Sequence, residues 1–159
     1  MSVRPLRCLI VASLTVLAAC GGRSRPEPAA TPSVQYLTPY GPPTRPFSPA
    51  VRVGNLIFLS GQIGTPGANA SANAVVPGGI EAETRQTLEN IKDILERSGS
   101  SMDRVVKCTV MMADMREWDR MNVVYAAYFP TNKPARSALG ANGLALGARV
   151  EIECWATVA

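Results

Sequence analysis

"EAETRQTLENIKDILERSGSSMDRVVKCTVMMADM", residues 81–115, changes its hydrophobic period half-way along, and that change decides the fold. In the first half Thr84, Leu88, Ile91 and Leu95 recur at helical spacing, while Glu81–Arg85 and Asp93–Arg97 form i,i+4 pairs of favourable orientation. This predicts an amphipathic helix over 80–97, with Gly99 placed to end it. In the second half "DRVVKCTVMMA" (103–113) is a β-branched run with few polar breaks, the pattern of a strand covered on much of both faces.

Working outward, Asp114 can cap a second helix with Glu117 three residues on. Trp118, Met121, Tyr125 and Tyr128 line one face of it until Pro130 stops it, and strands follow around 135–141 and 148–158. On the other side "AVRVGNLIFLSGQI" (50–63) gives two short β-rich runs around Gly54-Asn55, a pair suited to a tight hairpin. A Gly-rich polar loop, 64–79, leads to the first helix. The order is ββαβαββ, an α+β sandwich with two helices on one face of one sheet. Strands 105–112 and 150–158 are apolar on both sides in places, so the second face of the sheet is expected to meet another subunit.

The chain of 159 residues is long enough for one compact domain and too short for two comfortable ones. Residues 1–19 read as a leader: two arginines, an apolar run too short for a bilayer span of about 20 residues, and "LAAC" at 17–20. This is similar to a bacterial lipoprotein signal, which implies lipidation at Cys20 and a membrane contact through the lipid anchor only, in the cell envelope and facing the periplasm. The other reading is an ordinary signal peptide with a chance cysteine. Residues 20–46, rich in Pro, Gly and Ser, read as a tether, which starts the domain at Phe47 and runs it to 159. The formal charge falls from +4 to +2 when Arg4 and Arg7 leave with the leader, which is no nucleic-acid footprint. With no histidine anywhere, Ser-His-Asp and Cys-His catalysis and His-ligated zinc are excluded. No metal-ligand spacing and no phosphate-cradling Gly-rich loop appears, so neither metal nor cofactor is expected.

"PARSALG" (134–140) sets Arg136 among small and apolar neighbours in a strand-like run. An uncompensated charge there costs several kcal/mol by order of magnitude, so Arg136 needs an anionic partner. From the residues alone that partner is Glu151, Glu153 or a ligand. "VGNLIFLSGQIG" (53–64), the 81–115 stretch, "MNVVYAAYF" (121–129), "PARSALG" and "VEIECWA" (150–156) follow in the order and approximate spacing of the Rid family, the RidA/YjgF group. The resemblance runs from about Phe47 to Ala156.

This resemblance implies a chorismate-mutase-like fold, a homotrimer with intersubunit clefts for small carboxylates, and hydrolysis of enamines and imines such as 2-aminoacrylate or 2-iminobutanoate to 2-oxo acids and ammonia. It makes Arg136 the carboxylate clamp, because a guanidinium grips a carboxylate with two parallel N–H bonds. It places Glu151, fifteen residues on, at the family's water-binding carboxylate. Glu153 shares the same strand face at period two, so the residues alone leave open which of the two holds the water. Ser60 and Gly61 match a segment whose main chain lines the cleft, and Asn122 matches a helix asparagine near the ligand. Phe47, in "RPFSPA", stands where the family usually has Tyr, and Ala138 where it usually has Cys or Thr; both departures bear on substrate preference. The loop between Phe129 and Arg136 is shorter than usual, which reshapes the pocket rim.

Two further functions stay open on the sequence. One is a non-catalytic trimer that captures small carboxylates or proteins at the envelope. The other is RNA cleavage, which the weak charge and the expected address oppose. Cys108 and Cys154 are read as buried thiols, with a disulfide as the alternative in an oxidising compartment.

Overall fold

A computed structural model describes residues 31–42, 44–68 and 73–158. The leader and Cys20 lie outside the described residues. The strands are β1 (Val34–Leu37), β2 (Ala50–Val53), β3 (Leu56–Leu59), β4 (Gln62–Ile63), β5 (Val105–Met112), β6 (Ala135–Gly140) and β7 (Val150–Thr157). The helices are α1 (Gly79–Arg97) and α2 (Trp118–Tyr128). One sheet runs β1-β2-β3-β7-β5-β6, with β4 added against β7. β5 and β6 are parallel, joined through α2, and the other pairings are antiparallel.

The helical period reads through to packing. Thr84, Leu88, Ile91 and Leu95 are fully buried, joined by Ile80 and Ile94. They meet one face of the sheet, where Ile57, Cys108, Val110, Met112, Val150, Ile152, Cys154 and Ala156 are fully buried. Gly99, at φ +79, closes α1 with a Schellman turn: Ser100 N–H donates to Leu95 O at 2.9 Å and Gly99 N–H to Glu96 O at 3.3 Å. Of the two expected helix pairs, Asp93–Arg97 forms at 2.8 Å, whereas Glu81 instead accepts two bonds at 2.6 Å from Arg120 of α2. Asp114 caps a single 3-10 turn at 115–117 by accepting from Arg116 N–H, and Glu117 turns away to Arg149 at 2.7 Å.

Two expectations need correction. The stretch read as tether contributes β1, whose register runs from Val34 opposite Val53 to Leu37 opposite Ala50, so the folded unit begins before Phe47. Among the described residues of that segment Leu37 and Tyr40 pack on the core, and the Tyr40 hydroxyl donates to Asp93 on α1 at 2.7 Å. Four edge residues with one inward side chain leave little periodic signal. Cys108 and Cys154, read as thiols, are a disulfide. They are direct partners across the antiparallel β5–β7 ladder, on the buried face, and period two alone does not reveal which strands are neighbours. Closing a chain separation of 46 residues stabilises the fold by about 4 kcal/mol in the chain-entropy account.

The turn after β4 is held by Asn90 of α1, which is 2% exposed and donates to Ile63 O at 3.1 Å and Thr65 O at 3.0 Å. There α1 comes so near that a Cβ on Gly64 would meet Glu83 Cα at 2.9 Å. Backbone cannot swing aside as a side-chain tip can. Gly64→Ala is therefore expected to cost roughly 1–3 kcal/mol by overpacking, read as a lower denaturation midpoint with an unchanged m-value.

Candidate active site

The site residues named from the sequence fall into two groups, on opposite faces of the sheet. In the β5–β6 ladder Arg136 lies beside Cys108 and Ala138 beside Val110, so both project on the buried, helix-covered side. Glu151 pairs with Met111 and Glu153 with Thr109, so the two glutamates project on the other side. Period two along adjacent strands forces this separation. It removes the ion pair of Arg136 with Glu151 or Glu153 that the sequence had left open.

The first group is built on β6 and α2. Arg136 Nη1 donates to Asn122 Oδ1 at 2.8 Å. Its guanidinium carbon lies 4.9 Å from the Trp118 ring centroid and 4.6 Å from that of Tyr125, both on α2. Aromatic faces attract a cation and fix the plane of a guanidinium, and the amide of Asn122 takes one of its five N–H donors. Among the described residues no carboxylate stands within ion-pair distance of it. Asn122, half-buried on α2, thus holds the Arg136 guanidinium from one side. A cleft of about 420 Å3 opens here, lined by Asn122, Tyr125, Phe129, Lys133, Pro134 and Arg136. Tyr125 is 6% exposed, and burial pushes its phenol up to about 12 against the opposing pull of Arg136. Ala138, two residues along, is partly buried against the core.

The second group is built on the β3–β4 turn and β7. Ser60 N–H donates to Pro49 O at 3.0 Å and its hydroxyl to Ser48 O at 2.7 Å, which ties the turn to the loop carrying Phe47. A Cβ on Gly61 would overlap Glu151 Oε1, so only glycine lets that carboxylate lie over the turn. Glu151 is flanked in the sheet by Ile63 of β4 and Met111 of β5. Burial, and then the charge of Glu153, raise its carboxyl above the ordinary 4.5. Glu151, unlike Glu153, thus lies against the β3–β4 turn.

The sequence missed the aromatic pair around Arg136. Trp118 and Tyr125 share one helix face by their spacing, as expected, but that spacing is silent about what lies across them. It also missed the ion network in which Arg149 contacts Glu117 at 2.7 Å and Glu83 at 3.8 Å, linking both helices to the start of β7. Among the described residues no cluster of three His, Cys, Asp or Glu side chains is arranged to hold a metal ion.

A family model described as endoribonuclease L-PSP matches residues 40–158, three-quarters of the chain and every element after β1. The chain belongs to this family. It is the group that the motifs resembled under the name Rid. One Rid relative, protein HMF1 of Saccharomyces cerevisiae, is 47% identical over 108 residues, covering 67% of this chain and 80% of that protein. Another, the 2-iminobutanoate/2-iminopropanoate deaminase of Mus musculus, is 42% identical over 108 residues, covering 68% and 78%. Among solved structures, RidA from an Antarctic Psychrobacter superposes with a TM-score of 0.67 at 33% identity, over 77% of this chain and 98% of that one. The α+β fold expected from the resemblance is thus the one observed.

Proposed function

We propose that the protein hydrolyses reactive enamines and imines of the 2-aminoacrylate or 2-iminobutanoate kind to 2-oxo acids and ammonia. The observation that carries this reading is Arg136: an oriented guanidinium in a cleft, with Asn122 on one N–H, aromatic rings on its faces and no carboxylate partner among the described residues. A carboxylate supplied by substrate completes it. Relatives named as 2-iminobutanoate/2-iminopropanoate deaminases at 41–42% identity support the same chemistry.

Hydrolysis of a 2-imino acid needs the carboxylate fixed, a water aimed at the C=N carbon, and a group to move a proton from that water to the leaving nitrogen. Arg136 fixes the carboxylate, and Glu151, with its raised carboxyl, holds the water and carries the proton. Because these two groups occupy opposite faces of one chain's sheet, the reaction centre is composite. Arg136, Asn122 and Ala138 come from one subunit, and Glu151, Ser60, Gly61 and Phe47 from its neighbour in a homotrimer. The uncovered sheet face supports this assembly, since Val34, Tyr36 and Trp155 are exposed there and Phe58 stacks edge-on to Trp155 at 5.0 Å. The leader motif and the Cys108–Cys154 disulfide together support an oxidising, envelope address with an anchor at Cys20. We place imine hydrolysis ahead of the RNA cleavage in the family model's description because the chain has no histidine and little net charge.

The test is turnover. Purified protein is added to 2-aminoacrylate or 2-iminobutanoate generated in situ, and 2-oxo acid and ammonia are measured. Release faster than the spontaneous rate is expected; tight binding of 2-oxobutanoate with no acceleration would instead support a carboxylate-capturing module.

A further inference from the structure

The Arg136 cleft has a second cation. Lys133 lines it three residues before Arg136, and no acidic side chain lines it with them. Lys133 precedes Pro134, which restricts its backbone to extended conformations, and Pro134 leads directly into β6. The lysine is therefore carried on a stiff run rather than a loose loop. Besides Asn122, the rest of the lining is largely apolar, made by Tyr125, Ala126, Phe129 and Pro134. A largely apolar cleft with two cations in its lining matches a short chain with an anion at each end.

We propose that Lys133 is a specificity-determining residue that makes this cleft prefer dicarboxylic substrates, the 2-imino acids of four or five carbons with a second terminal carboxylate. The proposal rests on the imine reading for the chemistry, and on the cleft alone for the preference. Lys133 and Arg136 both line the cleft, and the three extended residues that separate them span at most about 10 Å. A five-carbon diacid holds its carboxyl carbons at most roughly 5 Å apart, from four carbon–carbon bonds near 1.5 Å at tetrahedral angles. One carboxylate takes the fork of Arg136, and the other takes the ammonium of Lys133, which is a point charge and makes little demand on orientation. Lys133 is exposed, so its contribution is that of a solvated ion pair, weakened by salt.

The experiment compares two unreactive product-like acids, 2-oxoglutarate and 2-oxobutanoate, by titration calorimetry at low and high salt on the wild type and on Lys133→Met. Methionine keeps the apolar stem and removes the charge. The wild type is expected to bind 2-oxoglutarate about fivefold more tightly at low salt, with the advantage shrinking as salt rises. Lys133→Met is expected to lose that advantage while its affinity for 2-oxobutanoate stays within about twofold. Equal wild-type affinities, a preference that survives Lys133→Met, or no binding of either acid would each overturn the proposal. A diacid preference carried by Lys133 in a protein that hydrolyses no imine would sustain it and sink the deaminase reading instead. Imine hydrolysis without that preference would do the reverse.

Discussion

Arg136→Ala is expected to lower kcat/KM for imine hydrolysis about 10²- to 10³-fold. Removing one partner of a charge-assisted bidentate contact costs roughly 2–5 kcal/mol, and the substrate loses orientation together with affinity. Arg136→Lys should recover little of the loss. It keeps a positive charge, but an ammonium can neither fork onto a carboxylate nor offer the planar surface that the guanidinium brings to the rings of Trp118 and Tyr125. Folding should survive both changes, because Arg136 is only half buried and, among the described residues, Asn122 is its one side-chain hydrogen-bond partner. A thermal melt beside the kinetics separates the two effects: a variant with native melting and full activity would show that the guanidinium serves neither the reaction nor the fold. The composite centre adds a sharper result. Arg136→Ala and Glu151→Gln subunits, each inactive alone, should regain about a quarter of wild-type activity when unfolded and refolded as an equal mixture. In random trimers that fraction of clefts receives its arginine and its glutamate from intact donors. No recovery on mixing would place the whole centre within one chain.

Glu151→Gln is expected to move activity and stability in opposite directions. Losing the group that holds water and carries the proton should reduce kcat about 10²- to 10⁴-fold. Stability follows from the raised carboxyl. A carboxyl that binds its proton more tightly folded than unfolded contributes stability at pH values below its unfolded value, and loses that contribution as pH rises through the folded one. At neutral pH the ionised Glu151, pressed between Ile63 and Met111 and facing Glu153, therefore weighs against the fold. Glutamine removes that charge. The variant should melt above wild type at pH 7, and the gap should close as pH falls below the ordinary 4.5. A variant that melts lower at pH 7 would mean that the carboxylate is a structural partner, and the case for it as the proton carrier would go with it.

How far the sequence could be read follows from the range of each interaction. α1, α2 and the strands β2, β3, β5, β6 and β7 are written in local periodicity, and the burial of Leu88, Ile91 and Leu95 is that periodicity seen in three dimensions. The candidate site residues were named through the family resemblance, not through periodicity. Their distribution between faces was not legible, because it depends on β6 lying parallel to β5 while β7 runs antiparallel on the other side. The same neighbour relation joins Cys108 to Cys154 and was equally invisible. β1 escaped notice since only Leu37 of its four residues turns toward the core. The Trp118–Tyr125 pair was seen as sharing one helix face, and what it packs against arrives from a strand fourteen residues beyond Asn122.

The crosslink between β5 and β7 bears on how the molecule should be handled at the bench. Cys108 is the ladder neighbour of Arg136 on one side and of Cys154 on the other, so the bond lies one rung from the clamp. Material made in a host cell with abundant glutathione would fold without that brace and begin about 4 kcal/mol weaker. Preparations differing only in the compartment of expression would then be two distinct samples, and a thiol count on unfolded protein tells which of them is in the tube.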